Sequence, residues 1–208
     1  MKEMFLRSVE KLGLEMTIIN FIVSTGIVLI YMRVFKNFKD AKVQKNNKQK
    51  EVKSIVETAS MSAFFLLCTI VVLLRVGTYS FHNIYLNIFA TGIYILGTSV
   101  NLLGRYYLGK NWGNNVIIYN DHTLVTKGVY RFVRHPLYAS IIWMIYAVSI
   151  LYQNYLVAIL NTIIFIPFMT YRAKQEEKEL VKVFSEYEQY KARVGMFFPK
   201  IRIRKKEN

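Results

Sequence analysis

Between His122 and Tyr138 the chain reads HTLVTKGVYRFVRHPLY, which sets two histidines, Arg131, Arg134, Gly128, Tyr130 and Tyr138 against the mouth of a long uncharged segment. Ionisable side chains at a membrane boundary are costly to desolvate, so such a cluster is a functional-site hypothesis by default. His135-Pro136 opens the apolar run, and proline is favoured at a first helical position because its missing donor would be unsatisfied there anyway. The free N–H groups of that first turn can hold an anionic group, with Arg134 alongside. An arginine snorkelling to lipid head groups explains Arg134 equally well. Beyond the apolar run, Arg172 and Glu176 are four residues apart and share a helix face, where they can pair. Two histidines without acidic partners at ligand spacing make a poor metal site, so no metal is expected.

These residues need elements to position them. At 208 residues and 53% hydrophobic composition the chain fits one domain and is too apolar for an ordinary soluble globule. Its 28 Lys+Arg against 13 Asp+Glu sit in blocks between apolar segments, as topology signals do, and this argues against a nucleic-acid partner. Met16 to Met32 reads as a first span, retained as an anchor since no small-residue cleavage site follows it. Lys36 to Lys53, with seven lysines, reads as a solvated connector and not a packed element. Further spans are expected from about Thr58 to Leu74 and from Ile84 to Leu103, where Ala90, Gly92, Gly97, Thr98 and Ser99 allow close helix packing.

From Leu137 to Tyr171 there is no charged residue. As one helix this run would be about 50 Å long and overshoot the bilayer, so it must fold back. Tyr152-Gln153-Asn154 is the expected hairpin tip, and Pro167 is expected to kink the returning helix. The fold class is therefore all-α, a polytopic membrane protein of about five spans: three within 16–103, then a catalytic part over 104–208 containing the hairpin 137–171. The basic connector should stay in the cytoplasm, which puts the 104–136 loop and the tail there too. The start of the fourth helix and the end of the fifth then become neighbours, and Tyr130, Arg134, His135, Tyr138, Arg172 and Glu176 can line one pocket.

The tail opens with Leu180, Val183, Phe184 and Tyr187 at helical spacing, an amphipathic helix expected to pack on the protein or lie in the interface. The closing KIRIRKKEN is either a binder of anionic head groups or a solvated end. Cys68 reads as a packed hydrophobe, His82 as interfacial, and Tyr106, Tyr107 and Trp112 as belt aromatics.

HTLVTKGVYRFVRHPLY, then a hairpin-length apolar run, then RAKQEEKEL and FSEYEQYKARV, together resemble the isoprenylcysteine carboxyl methyltransferase family over roughly residues 100–200. The resemblance implies a membrane-embedded methyltransferase using S-adenosylmethionine without a Rossmann-type fold, its pocket capped by the loop and the C-terminal helix. By motif, His122, Thr123, Leu124, Val125, Tyr130, His135, Pro136, Leu137, Tyr138 and Glu176 would bind the cofactor. Arg172 would bind the substrate and, with Arg134, be catalytic.

Chemistry is consistent with those roles. Glu176 suits an ammonium or a ribose hydroxyl, and Arg172 suits a carboxylate acceptor, which is ionised at neutral pH and needs no general base. The expected acceptor is lipophilic and enters from the bilayer, first of all the carboxylate of a prenylated cysteine. Hydroxyl, thiol or amine acceptors, an NADPH-dependent reductase of the sterol-reductase type, and a non-enzymatic scaffold stay open. Richness in lysine, asparagine and isoleucine points to an AT-rich bacterial genome, hence a bacterial cell membrane.

Overall fold

Backbone polar groups inside a bilayer must be satisfied within their own segment, which leaves helices as the form for the charge-free runs. The computed structural model describes residues 2–43, 48–52, 55–109, 116–119 and 123–200. The helices are α1 (Lys2–Val43), α2 (Ile55–Leu73), α3 (Ile84–Leu108), α4 (Pro136–Leu151), α5 (Tyr155–Leu160), α6 (Ile166–Val183) and α7 (Tyr187–Arg193). Gly13–Asn37, Ile84–Leu108 and Tyr155–Val183 are long and apolar enough to cross a membrane, and Ser60–Leu73 and Pro136–Leu151 are shorter apolar helices. The chain is a helical integral membrane protein, with five apolar helices among the described residues, as the sequence predicts.

Three expectations change. The connector is not wholly irregular: α1 continues to Val43, and β1 (Lys48–Val52) pairs antiparallel with β2 (Val116–Tyr119), so a short ribbon joins the first connector to the loop before the site. The disturbance expected at Pro167 takes the form of a π-helical turn over Asn161–Phe165, where the Ile166 N–H reaches back to the Asn161 carbonyl. Proline cannot donate to the turn before it, and a wider turn just upstream absorbs that gap. The tail is not one amphipathic helix, because α6 ends at an extended Phe184 and α7 restarts at Tyr187, which is fully buried.

α4 is the central helix. Its buried residues, among them Ala139, Ser140, Ile142, Met144, Ala147 and Leu151, lie all round it, as expected for a helix enclosed by others. α3 packs on it through Gly97 and Gly104, where a Cβ would fall 2.6 Å from Met144 Cγ and 2.9 Å from Leu137 Cδ2. Ala90, Gly97 and Thr98 are buried as foreseen, whereas Gly92 and Ser99 face outward. Asn101, buried between them, donates to Ser140 Oγ at 2.9 Å. Such interhelical hydrogen bonds hold helices together where lipid offers no hydrophobic drive. α1 joins α3 through Tyr94, whose phenol donates to the Val23 carbonyl at 2.8 Å, and through Glu15, which accepts from Asn87 at 2.7 Å and pairs with His82 at 2.9 Å.

The hairpin turns at Tyr152–Asn154, with Gln153 at φ +50. Asn154 caps α5 by accepting from the Val157 N–H, and its amide donates to the Val76 carbonyl at 3.0 Å. The Tyr155 N–H reaches the Gly77 carbonyl, and Tyr79 N–H the Gln153 carbonyl. The end of α2 is thereby stapled to the hairpin tip, and residues 135–138 stand at the opposite end of the bundle.

Candidate functional site at the hairpin base

The loop enters the site through Gly128. It has φ +62, and a Cβ there would lie 2.2 Å from the Tyr107 ring, so both conformation and space exclude a side chain. It starts a 3₁₀ turn, Gly128–Arg131, that buries Tyr130. The Tyr190 phenol, from α7, donates to the Tyr130 carbonyl at 2.6 Å. Burial pushes both phenols well above their ordinary range, and the Glu176 charge adds to this at Tyr130, so both stay protonated at neutral pH.

After the turn the backbone runs parallel to the segment that follows α7. Val133 bridges Gly195, the Arg134 N–H donates to the Gly195 carbonyl at 2.8 Å, and the His135 N–H to the Met196 carbonyl at 3.1 Å. The His135 N–H is therefore engaged by the chain itself. Pro136 and Leu137 pack against Gly104, and the Leu137 carbonyl accepts from Ser140 Oγ at 2.8 Å.

Arg134 turns inward. Its Nε donates to Glu177 Oε1 at 2.8 Å and its Nη1 to the Lys191 and Val194 carbonyls. That geometry ties the loop to the tail and fits poorly with head-group snorkelling. His135 places Nε2 3.0 Å from the same Glu177 Oε1 and Nδ1 3.7 Å from Glu176 Oε2. Its ring stacks on Tyr138, centroids 5.5 Å apart and planes 4° from parallel.

Arg172 and Glu176 are joined through a third group. Arg172 Nε donates to the Tyr138 phenol at 3.1 Å, and that phenol donates to Glu176 Oε2 at 3.1 Å. The i, i+4 spacing on α6 sets the two charges on one face, and Tyr138, in the first turn of α4, fills the gap between them. Arg172 is buried and also touches Met61 Sδ of α2 at 3.6 Å, so its guanidinium looks toward the apolar side of the bundle. The Glu176 side chain is 36% exposed, the Glu177 side chain 5%. The cluster thus pairs an open carboxylate on one side with a buried cation on the other.

Of the remaining expected residues, Thr123 is exposed and Leu124 and Val125 are half-buried on the extended segment before Lys127. His122 and Trp112 lie outside the described residues. The sequence reading missed Glu177, Tyr190 and the segment around Gly195. The Glu176-Glu177 doublet was visible, but only contacts tell which of two adjacent carboxylates faces the loop.

Residues 90–182 match the family model described as the isoprenylcysteine carboxyl methyltransferase (ICMT) family. Over these residues the chain is similar to that family. The isoprenylcysteine carboxyl methyltransferase segment carries Tyr130, Arg134, His135, Tyr138, Arg172, Glu176 and Glu177, while Tyr190 and Gly195 lie beyond it. The chain is 30% identical to a protein-S-isoprenylcysteine O-methyltransferase of Saccharomyces cerevisiae over 61% of its own length and 54% of the relative's. It is 35% identical to a methanethiol S-methyltransferase of Pseudomonas deceptionensis over 39% of its length and 30% of that protein's. It thus spans about half, or less, of these relatives' lengths. A solved structure of the eukaryotic intramembrane Ras methyltransferase ICMT superposes with a TM-score of 0.54 at 23% identity, covering 71% of this chain and 54% of that one. That likeness extends the isoprenylcysteine carboxyl methyltransferase fold beyond the family segment.

Proposed function

We propose that the 208 residues act as one membrane methyltransferase unit, transferring a methyl group from S-adenosylmethionine to a lipophilic acceptor, most simply the carboxylate of an isoprenylcysteine-like compound. The observation that carries this reading is the Arg172–Tyr138–Glu176 chain, an open carboxylate linked through one phenol to a buried cation facing the apolar side. The match of residues 90–182 to the family model supports it.

The residues present fit the donor. Glu176 is a partly exposed carboxylate, suited to an ammonium or a ribose hydroxyl, with His135 and Tyr138 beside it. The donor side is completed by Tyr130, Pro136 and Leu137, and by the stretch His122 to Val125 by family motif. When bound, S-adenosylmethionine supplies an electrophilic methyl on a sulfonium centre. Arg172 holds an acceptor carboxylate by charge-assisted hydrogen bonds, and the main contribution of the site is proximity and orientation. An ionised carboxylate brings its own lone pair, so no side chain need take a proton. Arg134 acts as a tie between loop and tail. The site faces the cytoplasm of a bacterial cell membrane, the donor arriving from water and the acceptor from the bilayer.

The test incubates purified protein with methyl-labelled donor and farnesylcysteine, fatty-acid, phenol, thiol and amine acceptors. Label released as methanol by mild base marks an ester and supports the carboxyl reading. Stable label shifts the acceptor to a thiol, phenol or amine, and binding of NADPH with none of S-adenosylhomocysteine overturns methyl transfer altogether.

A further inference from the structure

Glu176 and Glu177 are consecutive on α6, so their side chains leave the helix about 100° apart and serve different neighbours. Glu176 reaches outward to Tyr138 and toward His135 Nδ1. Glu177 reaches into the protein, where one oxygen takes Arg134 Nε at 2.8 Å and His135 Nε2 at 3.0 Å, and the other stands 3.8 Å from Lys191 Nζ. Arginine is always charged, so the carboxylate beside it is ionised and can only accept. His135 must therefore carry its proton on Nε2 wherever that contact is made.

A ring that carries that one proton has its second nitrogen free. With the proton on Nε2, Nδ1 presents a lone pair, and it stands 3.7 Å from Glu176 Oε2. Two acceptors at that separation repel each other when nothing lies between them and are both satisfied by a shared donor. The stack of His135 on Tyr138 and the Phe197 edge at 6.3 Å keep the ring from turning the lone pair elsewhere.

We propose that Glu177 is a positioning residue: by holding His135 as the Nε2–H tautomer, it turns His135 Nδ1 and Glu176 Oε2 into a two-acceptor seat for the ammonium group of the methyl donor. The inference rests on the methyltransferase reading above and adds the residue that sets the polarity of its donor pocket. Glu177 touches neither donor nor acceptor in this arrangement. Its effect passes through the imidazole, much as an outer carboxylate fixes the tautomer of a catalytic or metal-binding histidine.

The experiment is nitrogen-15 NMR of histidine-labelled full-length protein in lipid nanodiscs, with His82→Gln and His122→Gln variants for assignment, beside calorimetric titration with S-adenosylhomocysteine. In the wild type His135 is expected as the Nε2–H tautomer, with the Nδ1 resonance moving when S-adenosylhomocysteine binds. An Nδ1–H tautomer in the wild type overturns the proposal without recourse to any variant. Glu177→Gln is expected to weaken S-adenosylhomocysteine binding and raise donor KM about tenfold or more, with a smaller change in kcat, because a charge-assisted contact is lost behind the seat. Glu177→Asp should recover part of that loss, and the control Glu179→Gln, which removes the partner of Lys182 on the same helix, should leave binding and KM unchanged. Unchanged affinity in a folded Glu177→Gln variant also overturns the proposal. A wild type that fails to bind S-adenosylhomocysteine defeats the methyltransferase reading instead, so the two failures are told apart.

Discussion

Arg172 Nε donates to the Tyr138 phenol at 3.1 Å, and that single oxygen stands between the cation and Glu176. Tyr138→Phe removes both hydrogen bonds while keeping the ring stacked on His135. Methyl transfer is expected to fall about 10- to 100-fold with little change in melting temperature, since two hydrogen bonds to charged groups are lost and the packing stays. Initial rates beside a thermal melt check this.

Arg172→Lys keeps the charge but loses the planar fork. For a carboxylate acceptor kcat/KM should drop at least about tenfold, whereas S-adenosylhomocysteine affinity should stay within about threefold. An equal loss on both sides would show that Arg172 serves the donor pocket and not the acceptor.

Gly128 combines φ +62 with the Tyr107 ring 2.2 Å from where a Cβ would sit. Gly128→Ala should cost about 1–3 kcal/mol from backbone and steric strain together. Adding Tyr107→Ala relieves the steric part alone, so the double variant is expected to melt between Gly128→Ala and the wild type.

Asn154 caps α5 and holds the end of α2 through the Val76 carbonyl. Asn154→Ala is expected to destabilise by about 1–2 kcal/mol, the cost of a lost cap, while leaving donor affinity unchanged at low temperature because the site is at the far end of the bundle. Loss of affinity in the folded variant would mean that the two ends are coupled.

Single cysteines at Lys45 and Gln153, with Cys68 replaced, should label from opposite faces of the membrane. Labelling from one face would break the proposed orientation of the site.

Much of the frame was legible because charge-free runs leave a bilayer-spanning chain few choices. The tip at Tyr152-Gln153-Asn154 could be read from polar residues where the length demanded a turn, and Arg172 with Glu176 from helical spacing. Other features depended on contacts between distant segments. The Glu176-Glu177 doublet has no internal asymmetry; Arg134 and His135 supply it from 43 and 42 positions away. Arg134 read as an anion holder or a head-group contact beside a helix start, yet its partners are Glu177 and two carbonyls of a tail whose path no local pattern describes. The break at Phe184 was hidden because helical spacing runs on across it, and what interrupts the helix is the fit of Tyr187 into the protein.

The parallel bridge between Val133 and Gly195 has a consequence in time. The backbone that aims Arg134 and His135 is held by carbonyls of Gly195 and Met196, among the last described residues to leave the ribosome. The spanning helices can enter the bilayer one after another, but the loop lacks these two backbone partners until synthesis has passed Met196. A half-made chain in the membrane therefore lacks the contacts that aim Arg134 and His135, and the site is completed as a single late event.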